Sequence, residues 1–360
     1  MRTDIPVTPA IDEAKLAAFA GQAVTDMGAA ISGLLLHLGD RLGLYRAMAG
    51  AGPITSDDLA QRTGTAERYV REWLANQAAG GYVVYDPAGR TYELPAEQAM
   101  VVANEDSPVF LAGAFETIAA CYADHALFAD AFRTGAGIGW HAHDPRLYSG
   151  VLRLFRPGYA AHLVQEWLPA LDGVVAKLRA GATVADVGCG QGAATIIMAR
   201  AFERSSFAGF DIHEPSIRSA RAAAAEAGLP ARLRFDLATA KDLPGHDYDL
   251  ICLFDALHDM GDPLGAARHL RRALAPDGTL LLVEPHAGDA LEQNLNPVGR
   301  TYYGLSTVIC TPGSLAQEVG LGLGAQAGEH RLAELLHEAG FSRVRRATET
   351  PFNLVLEARP

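Results

Sequence analysis

Between Val184 and Thr195 the chain reads Val-Ala-Asp-Val-Gly-Cys-Gly-Gln-Gly-Ala-Ala-Thr. An apolar run ends in Asp186, glycines come next at alternate positions (Gly188, Gly190, Gly192), and a helix-compatible run opens at Ala193. Strand, tight loop and helix accommodate that order. Glycine lets the backbone turn sharply and lets a ligand approach the main chain. The helix start then presents free N–H groups and a positive dipole end to an anionic group. The spacing D-x-G-x-G-x-G is not the dinucleotide pattern G-x-G-x-x-G.

The residues C-terminal to this loop extend the α/β pattern. Residues 206–211 read as a second buried strand ending in an acid. Asp211, 21 residues after Gly190, suits the two hydroxyls of a ribose, and NAD would demand such an acid too. Residues 233–240 read as a third strand and its tip. Residues 248–254 form an apolar fourth strand suited to a sheet covered on both faces. A helix (264–274), a strand (279–284), a Gly-rich insertion (286–327), a final helix (329–340) and a closing strand pair (343–348, 353–358) complete the pattern. This alternation predicts a doubly wound α/β sheet with helices on both faces and its ligand crevice at the strand carboxyl ends.

At 360 residues the chain exceeds one typical domain. Residues 1–10 read as loose. Residues 11–49 are helical, with Leu16, Phe19, Val24, Ile31, Leu34, Leu35 and Leu38 recurring near three and four, either as core or as a dimer surface. A capped helix (55–64), a second helix (66–79) and a hairpin turning at Asp86-Pro-Ala-Gly89 make a winged helix. As a DNA reader its second helix offers Arg68 and Arg71. Glu67, Glu72, Asp57 and Asp58 share the region, and the net charge is −12, so attraction to a phosphate backbone is weak. Nucleic acid is therefore disfavoured as a partner and dimerisation preferred.

The four cysteines show no C-x-x-C pairing, hence no disulfide or zinc-finger framework. Neither a signal sequence nor an apolar run of about twenty residues is present, so the expectation is a cytoplasmic protein with no membrane partner. Residues 107–180 read as mostly helical, broken at 135–139. They carry Trp140, His141, Phe155, Tyr159 and His162, each ordinary packing by itself. Together with His286 and Tyr302 they are the candidates for a substrate pocket above the Gly loop.

The D-x-G-x-G-x-G loop resembles the first motif of class I S-adenosylmethionine (SAM) dependent methyltransferases. Leu257-His-Asp-Met-Gly-Asp262, followed by Ala275-Pro-Asp-Gly278 and Val283-Glu-Pro285, is similar to the small-molecule O-methyltransferases, a family that joins a winged-helix dimerisation domain to a SAM-binding domain. The resemblance covers most of the chain. It implies a Rossmann-like class I methyltransferase sheet, with a dimerisation domain over residues 1–105, a helical linker contributing to the substrate pocket over 106–178, and the SAM-binding domain over 179–360. It implies SAM as cofactor, held by Asp186, Gly188, Gly190, Gly192, Asp211, Ile212, Thr239, Ala240, Phe254 and Asp255. His258 becomes the catalytic base, Glu284 its orienter and Asp259 a third catalytic residue. The resemblance also implies a homodimer acting on a small molecule.

The chain departs from the family at two points. Thr239 stands where many members carry an Asp facing the adenine amine, and Met260 where the motif has Trp. The run from Asn294 to Tyr303 looks more like a bacterial subgroup of such enzymes.

The chemistry gives the pair sense. A hydroxyl attacks a methyl donor poorly while it keeps its proton, and a His near neutral pKa can remove it, a gain of roughly a hundred- to ten-thousandfold. Three alternatives stay open: C- or N-methylation at the same site, metal ligation by His258, Asp259, Glu284 and His286, and a SAM-sensing winged-helix regulator.

Overall fold

The computed structural model describes residues 11–229 and 231–360; the expectation for residues 1–10 lies outside them. Contacts divide the chain into two units, one running up to Glu105 with Phe110–Phe115, the other comprising Asp106–Val109 and Glu116–Pro360. The helical stretch after Glu116 thus belongs with the sheet.

In the first unit α1 (Glu13–Arg41) starts on Asp12, whose side chain accepts from the N–H groups of Ala14 and Lys15. Its 29 residues span about 44 Å at 1.5 Å per residue. By length and composition α1 could cross a membrane. Its buried residues are Gly33, Leu36, His37, Gly39 and Asp40, all toward the C-terminal end. Upstream, Leu16, Phe19, Val24, Met27, Ile31 and Leu34 are exposed, Phe19 and Met27 each by 67%.

Helices α2 (Leu44–Met48), α3 (Ser56–Thr63) and α4 (Glu67–Ala79) precede the hairpin β1 (Val84–Asp86) and β2 (Thr91–Glu93) and then α5 (Ala96–Val102). Thr55 caps α3 by accepting from the Asp58 N–H at 3.1 Å. Leu36, Tyr45, Met48, Leu59, Val70, Trp73 and Leu74 make the core. Both arginines of α4 are spent within that helix: Arg68 pairs with Glu72 at 2.6 Å and Arg71 with Glu67 at 2.7 Å.

The second unit begins with helices. After α6 (Ala112–Ala123) and α7 (His125–Thr134), α8 (Arg146–Gly158) passes directly into a π-helical segment, Tyr159–Trp167. In that segment the Leu168 N–H reaches the Leu163 carbonyl at 3.0 Å. Helix α9 (Val174–Ala180) leads into the sheet.

The strands are β3 (Thr183–Val187), β4 (Ser206–Asp211), β5 (Leu233–Leu237), β6 (Tyr248–Phe254), β7 (Leu274–Pro285), β8 (Arg343–Glu349) and β9 (Asn353–Arg359). Their order is β5-β4-β3-β6-β7-β9-β8. All the pairings from β5 across to β7 are parallel, and β9 runs antiparallel to both its neighbours.

The remaining helices are α10 (Ala193–Ala201), α11 (Glu214–Glu226), α12 (Pro263–Ala273), α13 (Pro297–Leu305), α14 (Thr311–Leu315) and α15 (Gly328–Glu338). Successive strand residues point to opposite faces, and here both faces are covered. Val184, Leu250, Cys252 and Phe254 join one core with Met198, Ile217 and Ala220. Ala185, Val187, Ile251 and Leu253 join the other with Leu270, Leu332 and Leu335. That is why the central strand β6 is a nearly continuous apolar run.

Two boundaries differ from the sequence pattern. Strand β7 opens at Leu274, so Asp277-Gly278 lies inside an extended run with a register shift against β6 between Tyr248 and Leu250. Residues 286–327 are not a plain Gly-rich loop. They hold α13, a second π segment (Ser306–Cys310) and α14. Asn296 caps α13 by accepting from the Gly299 N–H at 2.9 Å, with Pro297 in its first turn, so glycine and proline mark a helix start there rather than a break.

Candidate active site

The Gly loop follows β3. Gly188 and Gly190 have φ of 74° and 52°, in the left-handed region that side chains rarely adopt. A Cβ on Gly188 would come within 2.7 Å of the Ala256 Cβ, whereas one on Gly190 would meet open space. The first glycine therefore serves packing, and the second leaves bare backbone at a cavity.

The Gly190 N–H donates to Asp211 Oδ2 at 2.8 Å, and the His213 N–H to Oδ1 at 2.8 Å. Asp211 thus holds the loop in shape, and the Ile212 N–H adds a further donor to the same carboxylate. Burial pushes its carboxyl up, opposed by those N–H groups. Behind the loop, Thr195 donates to Asp186 Oδ2 at 2.5 Å. Asp186 Oδ1 is buried without a partner, and burial raises this carboxyl to about 7.

These groups share a cavity of about 540 Å³, within the usual range for small-molecule sites. Asp186, Gly188, Gly190, Asp211, Ile212, Thr239, Ala240, Phe254, Asp255, His258 and Asp259 all line it. Gly192 is not among the lining residues. Its φ is 79°, and a Cβ there would strike the Phe235 ring at 2.5 Å, so it serves helix–sheet packing. At the β5 tip, Thr239 donates through N and Oγ1 to Asp242, both at 2.7 Å. Lys241 ties the same tip to the insertion, with Nζ 3.2 Å from Asp262 and 2.8 Å from Glu318.

His258 sits in a short 3-10 turn, Leu257–Asp259, after β6. Glu284 lies on the neighbouring strand β7, where Phe254 pairs with Val283. One Glu284 oxygen accepts from the Leu257 N–H at 3.0 Å, and the other lies 2.5 Å from His258 Nδ1. Burial works against a charged imidazole here, but Glu284 and Asp259 outweigh it and hold His258 well above its ordinary value.

With Nδ1 engaged, Nε2 is the nitrogen left for other partners. It lies 3.2 Å from Asp259 Oδ1, yet that oxygen is buried with no partner in hydrogen-bond geometry. The short distance is an electrostatic contact, not a hydrogen bond. Asp255 adds a further acid. Its φ is +50°, its Oδ1 accepts from Asn353 Nδ2 at 3.0 Å, and its Oδ2 accepts from the Tyr159 hydroxyl at 3.3 Å. Burial, then the nearby Glu284 charge, raise it to about 8.

Of the substrate candidates, Trp140, Phe155, Tyr159 and Tyr302 line this cavity. His141 is exposed. His162 faces Glu166 at 2.9 Å and stacks on Trp167. His286 lines a separate hollow of about 470 Å³ and sits 3.8 Å from Glu349. The quartet His258, Asp259, Glu284 and His286 therefore does not converge. Glu284 stands behind the imidazole, and Cys310 is the residue gathered with His258 and Asp259.

Residues absent from the sequence-based set also line the cavity: Tyr148, Leu152, Gln191, Ile309, Cys310 and Gln317. Tyr148, Leu152, Phe155 and Tyr159 recur at three and four, a stripe that periodicity alone could have found. Nothing in the sequence places Cys310 or Gln317 at the cavity. Gln317 matters mechanically. Its amide donates to the Asp259 carbonyl at 2.8 Å and accepts from the Gly261 N–H at 3.1 Å, clamping the insertion onto the His258 turn.

Comparison with known proteins agrees with this layout. Residues 29–104 match the family of Rv2258c-like winged HTH domains, and residues 178–340 a methyltransferase domain family. The 27-O-demethylrifamycin SV methyltransferase of Amycolatopsis mediterranei (strain S699) is 34% identical over 131 residues, 34% of this chain and 48% of that protein. The chain thus spans about half the length of this curated relative.

Among solved structures, the mitomycin 7-O-methyltransferase MmcR superposes with a TM-score of 0.68 at 20% identity, covering 97% of this chain and 100% of that one. Human N-acetylserotonin methyltransferase, solved in complex with SAM, gives 0.68 at 16% identity, covering 98% and 99%. At such identities the likeness is one of fold.

The chain carries a winged HTH domain followed by a methyltransferase domain on the class I methyltransferase fold.

Proposed function

We propose that this chain transfers a methyl group from SAM to an oxygen of a small-molecule acceptor, with His258 as general base. One observation carries the reading: the buried His258–Glu284 contact of 2.5 Å opens on the same cavity as the Gly188–Gly190 loop. The residues present fit SAM. Gly190 leaves bare backbone facing open space, Asp211 lines the cavity at the β4 tip, and Asp186 Oδ1 is a buried acceptor without a partner. Gly188, Gly190, Asp211, Ile212 and the Ala238–Ala240 backbone would hold it. When bound, SAM supplies an electrophilic methyl on a sulfonium.

The chain's own residues do the rest. Glu284 accepts a hydrogen bond from Nδ1–H, which fixes the tautomer and leaves Nε2 to take the acceptor's proton. Trp140, Phe155, Tyr159 and Tyr302 exclude water and offer flat apolar faces to the acceptor. Transfer of labelled methyl from SAM to a panel of phenols, carboxylic acids and 2-oxo acids tests the activity; no transfer to any oxygen acceptor would refute O-methylation.

We further propose that the chain works as a homodimer. The exposed apolar stripe of α1 exceeds what single surface residues require. Light scattering should then give twice 38.1 kDa, and a monomer at micromolar concentration would overturn the assignment.

A further inference from the structure

We propose that His258, Asp259 and Cys310 form a binding site for a zinc-class divalent cation, and that the bound ion switches methyl transfer off by occupying the base. The second half rests on His258 being that base; the first half does not.

The site is gathered from two elements. His258 and Asp259 come from the turn after β6, and Cys310 from the end of the π segment Ser306–Cys310. One ligand atom from each lies within 4.8 Å of the others. Nitrogen and oxygen ligands about 2.0–2.1 Å from zinc stand about 3.3 Å apart across a tetrahedral angle. His258 Nε2 and Asp259 Oδ1 stand 3.2 Å apart, so that edge of the polyhedron is already the right length.

Three further observations point the same way. Asp259 Oδ1 is buried and accepts no hydrogen bond of regular geometry, and the Asp259 carboxyl hydrogen-bonds the Cys310 thiol, whose proton a cation would replace. His258 is braced through Nδ1 by Glu284 at 2.5 Å, and imidazole ligands to metals are typically oriented by just such a carboxylate on the other nitrogen. The donor set is also selective. A sulfur and an imidazole favour zinc, cobalt or copper, whereas magnesium and calcium prefer oxygen.

On binding, the Cys310 thiol releases its proton to solvent, an imidazolium loses its Nε2 proton in the same way, and Nε2 gives its lone pair to the ion. Three protein ligands leave the fourth position for water from the cavity. The Nε2 lone pair is the one the base reaction needs, since Nδ1 is committed to Glu284. Bound ion and proton abstraction therefore exclude each other.

Cobalt reads the site without any turnover. The full-length protein, stripped with a chelator and dialysed, is titrated with Co²⁺. The expected result is one ion per chain, with a thiolate-to-cobalt absorption band and the strong visible bands of tetrahedral cobalt, all erased by added Zn²⁺. Cys310→Ser should lose the thiolate band. Asp259→Asn should keep that band but bind at least about tenfold more weakly, since even loss of a group that only hydrogen-bonds a ligand costs about that much. Circular dichroism melts of both variants verify folding, and either variant alone suffices for the test. Absence of the band in wild type, or its survival in folded Cys310→Ser, overturns the site.

The switch is read separately, as the ratio of methyl-transfer rates with and without micromolar Zn²⁺. Wild type should fall at least tenfold and Cys310→Ser less than twofold. A rise in rate on adding zinc would overturn the switch and leave the site. A wild type that binds cobalt but transfers no methyl to any acceptor would remove the methyltransferase reading while the cation site stood.

Discussion

The two ends of the cavity are built differently. At the Gly loop the working groups are mostly backbone: N–H groups of Gly190 and His213 engaged by one carboxylate, at the tips of paired strands β3 and β4. At His258 the working groups are side chains contributed by β7, β9, the π segments and the insertion: Glu284, Asn353, Tyr159 and Cys310. Backbone geometry follows from strand order and glycine placement. Side-chain geometry depends on which rotation each helix presents. The first end is thus a property of the fold and the second a property of this particular chain.

If the ends are separable, substitutions should split cleanly into effects on turnover and effects on cofactor affinity. The largest expected effect is on turnover. His258→Ala should slow methyl transfer by roughly two to four powers of ten, the usual range for a general base, with SAM affinity by calorimetry unchanged. A matching loss of affinity would break the division. The pH profile sharpens it. Glu284 and Asp259 hold His258 above its ordinary value, so Nε2 becomes free to accept a proton only at a higher pH than an unperturbed imidazole would need. The rate should therefore still climb with pH beyond 6.5 and level only above the raised value. A profile already flat at pH 7 would show that proton removal by His258 does not limit the rate.

The next effect belongs to the other end. Asp211→Ala removes a charged acceptor and releases the Gly190 N–H, which should weaken SAM binding by about 1–3 kcal/mol. At saturating SAM, turnover should stay within a few-fold of wild type. The smallest effect should come from Asp255→Asn. Asp255 sits at a φ of +50°, which Asn tolerates about as well as Asp. Its carboxyl is raised to about 8, so near pH 7 it is largely neutral and resembles an amide. The melting midpoint should move by no more than about 0.5 kcal/mol equivalent. Asp255→Val, β-branched and left-handed, should cost about 1–3 kcal/mol. If Asn destabilises as much as Val, the charge of Asp255 matters and its neutral reading fails.

The same contrast explains what could be read in advance. Asp186, the glycines and Asp211 declare themselves by spacing, because a strand–loop–helix unit leaves few choices for the turn. Gly192 shows the limit of that reading: it belongs to the spacing, yet its lost Cβ serves Phe235 rather than a ligand. His258 and Glu284 were legible through the family resemblance of the Leu257–Asp262 and Val283–Pro285 segments, and the adjacent parallel strands β6 and β7 put the two side by side. Cys310 and Gln317 were not. Cys310 ends a short apolar run that marks a buried thiol, as found, but not a place at the cavity; Gln317 stands among glycine, proline and serine that read as loop, and the Asn296 cap and the Gln317 clamp turn that stretch into a wall of the cavity. His141, His162 and His286 were drawn in by chemistry alone, with no periodicity to aim them, and the structure sends each elsewhere.

The two π segments give this arrangement an evolutionary handle. Each carries a turn wound one residue wider than an α-helix, and each sits where a helix meets the cavity: Tyr159 in one, Ile309 and Cys310 in the other. Loss of one residue from either would restore ordinary winding and leave the flanking turns facing as before, because the wide turn is what absorbs the extra residue. With Leu163 and Trp167 anchored in the sheet core, the change would fall on the wide turn itself, next to the stripe of Tyr148, Leu152 and Phe155 on α8. A single-codon deletion at either segment would thus reshape the cavity wall locally, while the Gly loop between β3 and α10 is left as it stands.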